Sequence, residues 1–232
     1  MTKEFDLSKV RKDLVRLEDT IILHLFERAQ FKTNKVIYVP GGVEIPGFDG
    51  SFLDYLFEGT EKLHARAGRY LDQEEHPFYP IDGEALARRR IDDLGISRKV
   101  NVNDKIKKIY LEVLPLICEE GDDNKYGSAA VVDIHCMQAI SRRVHMGEQV
   151  AEAKFREDPE GYSKFIIAGD RENIRTKLRN LKVERDNLER VRVKGERYGI
   201  DPEFIASFYD QRVMPLTIEV EIDYFMAREL SN

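Results

Sequence analysis

Two cations, Arg143 and Lys154, stand eleven residues apart in the stretch DIHCMQAISRRVHMGEQVAEAKF, residues 133–155. The stretch reads as one long helix with no breaker inside it. Cys136, Ile140, Gly147, Val150 and Ala151 recur at spacings of three and four, the stripe that a helix turns toward a core. Eleven residues make about three turns, so Arg143 and Lys154 share that stripe, about 16 Å apart along the axis. A cation on a buried face needs an anion. Either both side chains snorkel to the surface or pair with internal carboxylates, or they line a pocket for a small dianion. Arg11, near the Leu7 and Leu14 face of the first predicted helix, is a third cation of this kind. Two further pairs sit beside apolar residues at i and i+4, Asn180 with Glu184 and Thr217 with Glu221, so each pair is expected on one helix face. Each pair alone reads as solvated surface. Together with the three cations they describe how a helical bundle builds a polar ligand site from facing helices.

The elements that must position these residues are helical throughout, since no period-two stretch is long enough to demand a sheet. The expected class is all-α, with about ten helices around a long central one. Leu7, Val10, Leu14, Leu17, Ile21, Leu25 and Phe26 predict a first helix to about Arg28, capped by Asp6 or Ser8. KVIYVPGGVEIPGFDG reads as an irregular loop in preference to a hairpin, because Pro and Gly interrupt it. A second helix starts at Asp49 or Ser51 and carries Phe52 to Tyr70. QEEHPFYPIDG is a proline-marked connector whose Phe78 and Tyr79 should pack on the body. EALARRRIDDLG is a short helix ended by Gly95, its three arginines a solvated face. Asn103 is expected to cap the next helix, with Pro115 kinking or splitting it, and Ser128 is expected to cap the central one. After Phe155, Asp158 with Pro159 opens a brief helix closed by Gly169. Asp170 caps a long one ending at Gly199. Asp201 with Pro202 starts the last, bent at Pro215 and running to about Leu230.

Composition sets the outer limits. With 232 residues, 42% hydrophobic and 34% charged, the chain has the make-up of a soluble globular protein able to bury a sizeable core. A formal net charge of −6 argues against broad nucleic-acid binding, which needs a basic surface, so any anion site must be local. Cys118 and Cys136 both lie in apolar helical runs and read as buried free thiols of a reducing compartment. No apolar run approaches the roughly 20 residues of a membrane span, and MTKEFDLSKV lacks the hydrophobic centre of a signal peptide. The expected location is cytoplasmic. His64, His76, His135 and His145 are scattered without HExxH spacing, and neither GxGxxG nor GxxxxGKS occurs, so no metal, NAD or ATP is expected.

Six blocks, in order, carry a resemblance: VRKDLVRLEDTIILHLFERAQF, EIPGFDGSFLDYL, HPFYP, VNVNDKIKKIYLEVLPLI, GSAAVVDIHCMQAISRRVHMGEQVAEAKF and RVMPLTIEVEIDYFMAREL. They resemble the all-helical chorismate mutases of the fungal and plant type nearly end to end, as one domain over residues 1–232 with effector-type helices and loops at roughly 49–131. The resemblance implies an isomerase that rearranges chorismate to prephenate without a cofactor, in phenylalanine and tyrosine biosynthesis by way of the shikimate pathway. Arg11 and Arg143 would hold the substrate carboxylates, and Lys154 and Glu221 the ether oxygen. Asn180 and Glu184 would orient the ring hydroxyl, and Thr217 would line the pocket. The reaction is an intramolecular pericyclic step, so no nucleophile is needed. Holding a near-attack conformer and stabilising charge on the breaking C–O bond suffice.

The resemblance also implies a homodimer, with tyrosine or tryptophan regulating some members between subunits. Arg69, Gly127 and Ser128 fit that effector-binding pattern, while Gly68, Lys125 and Val131 depart from the yeast-like version and the loop before Asp201 is short. Regulation therefore stays open at this level. Two other readings are a catalytically silent relative kept as a binding protein, and a lyase acting on isochorismate. The first would be expected to have lost Arg11, Arg143 or Lys154, and the second is a smaller protein without the regulatory-type blocks.

Overall fold

The computed structural model describes residues 7–72, 74–83 and 100–228. The expected helix over EALARRRIDDLG, the Asp6 cap and the end at Leu230 lie outside them. Among the described residues there are ten α-helices and no strand, as an all-α chain requires. Contacts divide the chain into two compact units. Within the described residues the first contains 7–22, 100–102 and 142–228, and the second contains 23–72, 74–83 and 103–141. Helices α1, Leu7–Arg28, and α4, Tyr126–His145, each contribute one end to each unit.

In the first unit, Val10, Leu14 and Leu17 of α1 pack with Met146 and Val150, which places Arg11 on a helix anchored to the central segment. That segment is not the single helix expected. It is α4 followed by α5, Gly147–Glu157, joined at Met146, whose φ of −59° and ψ of −11° flatten one turn. The i to i−4 bonds persist across the junction, from Met146 N–H to the Arg142 carbonyl at 3.1 Å and from Val150 N–H to the Met146 carbonyl at 3.1 Å. Because hydrogen bonding and apolar spacing both continue, periodicity cannot reveal the break. It falls one residue before Gly147, where α5 meets α10, Met214–Ala227. A Cβ on Gly147 would lie 2.8 Å from the Thr217 carbonyl oxygen and 3.3 Å from Val220 Cγ1. Only a glycine lets the two backbones approach this closely.

Helix α6, Pro159–Ala168, follows, with Asp158 accepting the Gly161 N–H at 2.9 Å. Helix α7, Arg171–Leu178, is capped by Asp170, which accepts the Asn173 N–H at 3.1 Å. The helix expected to continue to Gly199 stops here, because Arg179 is extended at φ −68° and ψ 139°. A separate helix, α8, Leu181–Tyr198, starts with Asn180 as its cap, accepting the Val183 N–H at 3.2 Å. Asn180 and Glu184 are therefore not two positions on one helix face. Asparagine competes for backbone donors better at a cap than in a helix interior, while Leu178 and Leu181 keep the apolar spacing across the break and hide it. Helix α8 packs against α9, Pro202–Phe208, with Gly195 lying against Ile205. The last expected helix is likewise two, with a π turn at Tyr209–Val213 between α9 and α10. Pro215 offers no N–H and its ring crowds the carbonyl one turn back, and just before it the chain widens, so that Met214 N–H reaches Tyr209 five residues earlier.

The second unit holds α2, Phe52–Arg66, opened by a reciprocal Ser51–Asp54 capping box and closed before Gly68 at φ 84°, so Tyr70 lies beyond it in a 3-10 turn. The loop before α2 contains a 3-10 turn at Lys35–Tyr38 and one isolated bridge, Ile45 to Phe48. Helix α3, Asn103–Ile117, runs through Pro115 and ends two residues later without splitting. Asn103 is its first residue and not a cap: its amide donates to the His76 and Pro77 carbonyls at 3.0 and 2.9 Å and accepts the Ser141 hydroxyl at 2.7 Å. Ser128 lies inside α4 instead of capping it. Phe78 and Tyr79 do pack, both against Phe57, and their N–H groups donate to buried Glu61 at 2.8 and 2.9 Å. Cys118 and Cys136 are buried free thiols.

The centre of this unit is an ion pair sealed from water. Arg28 Nε donates to Asp133 at 2.6 Å, and the same carboxylate accepts the Tyr110 hydroxyl at 2.6 Å and the Tyr38 hydroxyl at 2.7 Å. Arg28 spends its other donors on the Lys32 and Thr33 carbonyls and Tyr38. Breaking one partner strands the other charge, so Asp133→Ala should lower stability by about 3–5 kcal/mol in urea unfolding, and an unchanged midpoint would contradict this account. In the first unit, Gly147→Ala should cost about 1–3 kcal/mol by forcing α5 and α10 apart. A wild-type midpoint in that variant would show that the helices yield freely.

Candidate active site

A cavity of about 490 Å³ opens within the first unit, and all seven residues expected at a substrate site line it: Arg11, Arg143, Lys154, Asn180, Glu184, Thr217 and Glu221. They arrive from five places. Arg11 comes from α1, Arg143 from the end of α4, Lys154 from α5, Asn180 and Glu184 from the start of α8, and Thr217 and Glu221 from successive turns of α10.

Arg143 is 5% exposed, and its side chain donates from Nη1 to Thr217 Oγ1 at 3.3 Å, while Nε has no partner among the described residues. Thr217 in turn donates to the Val213 carbonyl at 2.8 Å, which holds its oxygen in place to receive the arginine. Burial works against the Arg143 charge and lowers its pKa, with the Tyr209 hydroxyl and the Glu18 and Glu221 carboxylates opposing. Glu18 is buried but engaged elsewhere. It takes a two-pronged pair from Arg190 at 2.8 and 2.7 Å and a contact from Lys194 at 3.1 Å. Arg11 is exposed, lines the same cavity and has no ion pair among the described residues. The cavity thus carries two guanidinium groups without a carboxylate of their own.

The opposite arrangement holds at Lys154, whose ammonium donates to Glu221 at 2.9 Å and to the Leu178 carbonyl at 3.1 Å. Glu221 is 5% exposed, and its burial pushes the carboxyl above the ordinary glutamate range, although Lys154 and Arg143 pull the other way. Burial prevails because Lys154 divides its donors with Leu178 and keeps 22% of its side chain in water. Glu184 moves in the reverse direction. The bonds from Arg179, at 3.2 and 2.8 Å, hold it below the ordinary range, and Lys154 adds to the effect. Two carboxyl groups pushed apart in this way can take different roles, one as a hydrogen-bond donor and one as an acceptor. Among the described residues the lining is rich in arginine, lysine and carboxylate side chains, groups that can position and polarise a ligand.

Glu18, Arg190, Lys194 and Arg179 were not singled out from sequence. Glu18 had a signal, since it lies seven residues after Arg11 on the same face of α1, whereas its partners on α8 are more than 170 residues away. The effector-type positions belong to the second unit. Arg69 donates to Glu75 at 2.9 Å and to Gln138 at 2.7 Å, while Gly127 and Ser128 lie in the first turn of α4. Gln138 is ten residues beyond Ser128, about 15 Å along the helix, so one chain does not gather the three.

Comparison with known proteins agrees with this geometry. The family described as chorismate mutase type II matches residues 126–222. The chorismate mutase of Emericella nidulans is 42% identical over 250 residues, covering 98% of this chain and 94% of its own length. Among solved structures, the Aro7p chorismate mutase of Candida albicans, in complex with L-Trp, superposes with a TM-score of 0.93 at 38% identity, over 97% of this chain and 92% of its own. AtCM1 with tyrosine bound in its allosteric site gives 0.90 at 36% identity over 98% of both chains. With the fold, the cavity and these likenesses in agreement, the chain belongs to the all-helical chorismate mutases of fungi and plants.

Proposed function

We propose that this chain converts chorismate to prephenate with its own side chains alone. The observation that carries this reading is Arg143, a buried cation without a carboxylate, facing the same cavity as Arg11. Two guanidinium groups suit a substrate with two carboxylates, because the planar fork of arginine can bind each at two points. A cavity of about 490 Å³ falls within the usual range for small-molecule sites. Held at both carboxylates, the substrate is restricted to the folded conformer in which the new C–C bond can form.

The breaking C–O bond places negative charge on the ether oxygen, and the Lys154–Glu221 pair is the donor set that meets it. An ionised Glu221 would repel that oxygen. A protonated one donates a second hydrogen bond beside the ammonium, which is what its burial favours. Glu184, kept ionised by Arg179, accepts the ring hydroxyl, with Asn180 beside it, and Thr217 keeps Arg143 aimed into the cavity.

The same reading extends to assembly and control. A homodimer is proposed, with tyrosine or tryptophan bound between subunits. Support comes from Arg69 lying well along α4 from Gly127 and Ser128, a separation that a second copy could close. Relatives solved with L-Trp, or with tyrosine in an allosteric site, support the ligand class. A cytoplasmic location is proposed on the two buried free thiols, which suit a reducing compartment.

Purified protein added to chorismate should consume its absorbance and yield prephenate, whereas a silent relative would leave the signal flat. Lys154→Ala should lower kcat about 100- to 1,000-fold with an unchanged circular dichroism spectrum. Near-normal turnover would move the ether-oxygen role to another group. Because Glu221 acts protonated, kcat should be highest on the acid side and fall as pH rises through its raised pKa. Glu221→Gln keeps a donor that does not titrate in this range, so its profile should extend toward neutral pH. A variant profile that overlays the wild type would remove Glu221 from the mechanism.

A further inference from the structure

Leu178, Arg179 and Asn180 occupy the break between α7 and α8, and each commits a group to the cavity wall. The Leu178 carbonyl accepts Lys154 Nζ at 3.1 Å, and the Asn180 amide oxygen caps α8. Arg179, between them, places Nε 3.2 Å from one oxygen of Glu184 and Nη2 2.8 Å from the other. This fork depends on the break. In an unbroken helix, residues five apart point about 140° away from each other and do not meet. The extended conformation of Arg179 turns its side chain back across the first turn of α8.

We propose that Arg179 is a positioning residue for the substrate's ring hydroxyl, clamping both oxygens of Glu184 so that the remaining lone pairs of that carboxylate face the ligand. The inference rests on the rearrangement proposed above and goes beyond it, to a residue that need not touch the reacting atoms. Each carboxylate oxygen can accept a second hydrogen bond, so a clamped Glu184 remains able to receive a hydroxyl. Without the clamp, a glutamate with three rotatable bonds must be ordered by the ligand itself, and binding weakens.

The charged groups around the pair sort clearly. Lys154 of α5 acts on Glu184, and Asp210 of the π turn acts on Arg179. Lys177, one residue before Leu178, is engaged by Asp158 at 2.6 Å. Arg179 is half exposed, so the pair is a screened one, and removing it should leave the fold intact. The acid side of the kcat/KM profile reports Glu184 losing its charge, and the basic side reports Glu221 losing its proton. The two ends can be moved separately.

The test is steady-state turnover of chorismate by the full chain across pH, comparing wild type with Arg179→Ala, Arg179→Lys and Glu184→Gln. Arg179→Ala should raise KM about 3- to 5-fold with kcat nearly unchanged. Its acid limb should move up in pH, with the basic limb in place. Lysine supplies the charge without the fork, so Arg179→Lys should recover the acid limb but not KM. In a Glu184→Gln background, Arg179→Ala should have little further effect. An active wild type whose KM and acid limb ignore Arg179→Ala, or fully additive effects in the double variant, would overturn the positioning role alone. An inactive wild type would overturn the rearrangement and this role together.

Discussion

A buried positive charge with no ion pair among the described residues is the constraint from which the first unit can be understood. Arg143 sits at the end of α4 with almost no exposure, and the acid that might neutralise it, Glu18, is committed to Arg190 and Lys194. Removing a charge from water is costly, and on the proposed reading an anionic substrate offsets that cost. The Glu18 pair thus has two effects: it ties α1 to α8 beside the cavity, and it keeps a carboxylate from closing the site on itself.

The second feature of the site is the separation of two carboxyl groups by environment. Glu221 lies among apolar neighbours on α10 and is pushed toward its neutral form. Glu184 lies near the surface under an arginine fork and is held ionised. Both are glutamates. Depth and neighbours distinguish them, and a site that needs one donor and one acceptor at moderate pH obtains both from the same residue type.

The three breaks in the helices share a function. Met146 and Arg179 with Asn180 interrupt runs that periodicity reads as continuous, the π turn lies just before Pro215, where a bend was expected, and each lies next to cavity-lining residues. A straight helix offers one face, and a side chain can be aimed only in steps of about 100°. At a break, the chain can present Arg179 across α8 and bring Gly147 against Thr217. Regularity supplies the scaffold, and its interruptions supply the aim.

The helical class, most caps, the buried thiols and the packing of Phe78 and Tyr79 were legible in the residues, because caps, turn-formers and apolar spacing act locally. The seven polar positions of the cavity were named as one site through the family resemblance, since spacing alone left each pair as surface and set Asn180 and Glu184 on one helix face. Asp158, Asp170 and Asp201 ended up as the helix caps their types foretold. Asn103, Ser128 and the unbroken central helix did not follow local rules. The Asn103 amide is claimed by His76, Pro77 and Ser141, far away in the chain, and a junction that keeps its hydrogen bonds leaves no trace in apolar periodicity. By itself the sequence determined which side chains were available and which local elements would carry them. Tertiary structure decided which charges are paired and which are left open, since a pairing such as Glu18 with Arg190 joins distant segments and is settled only when helices meet.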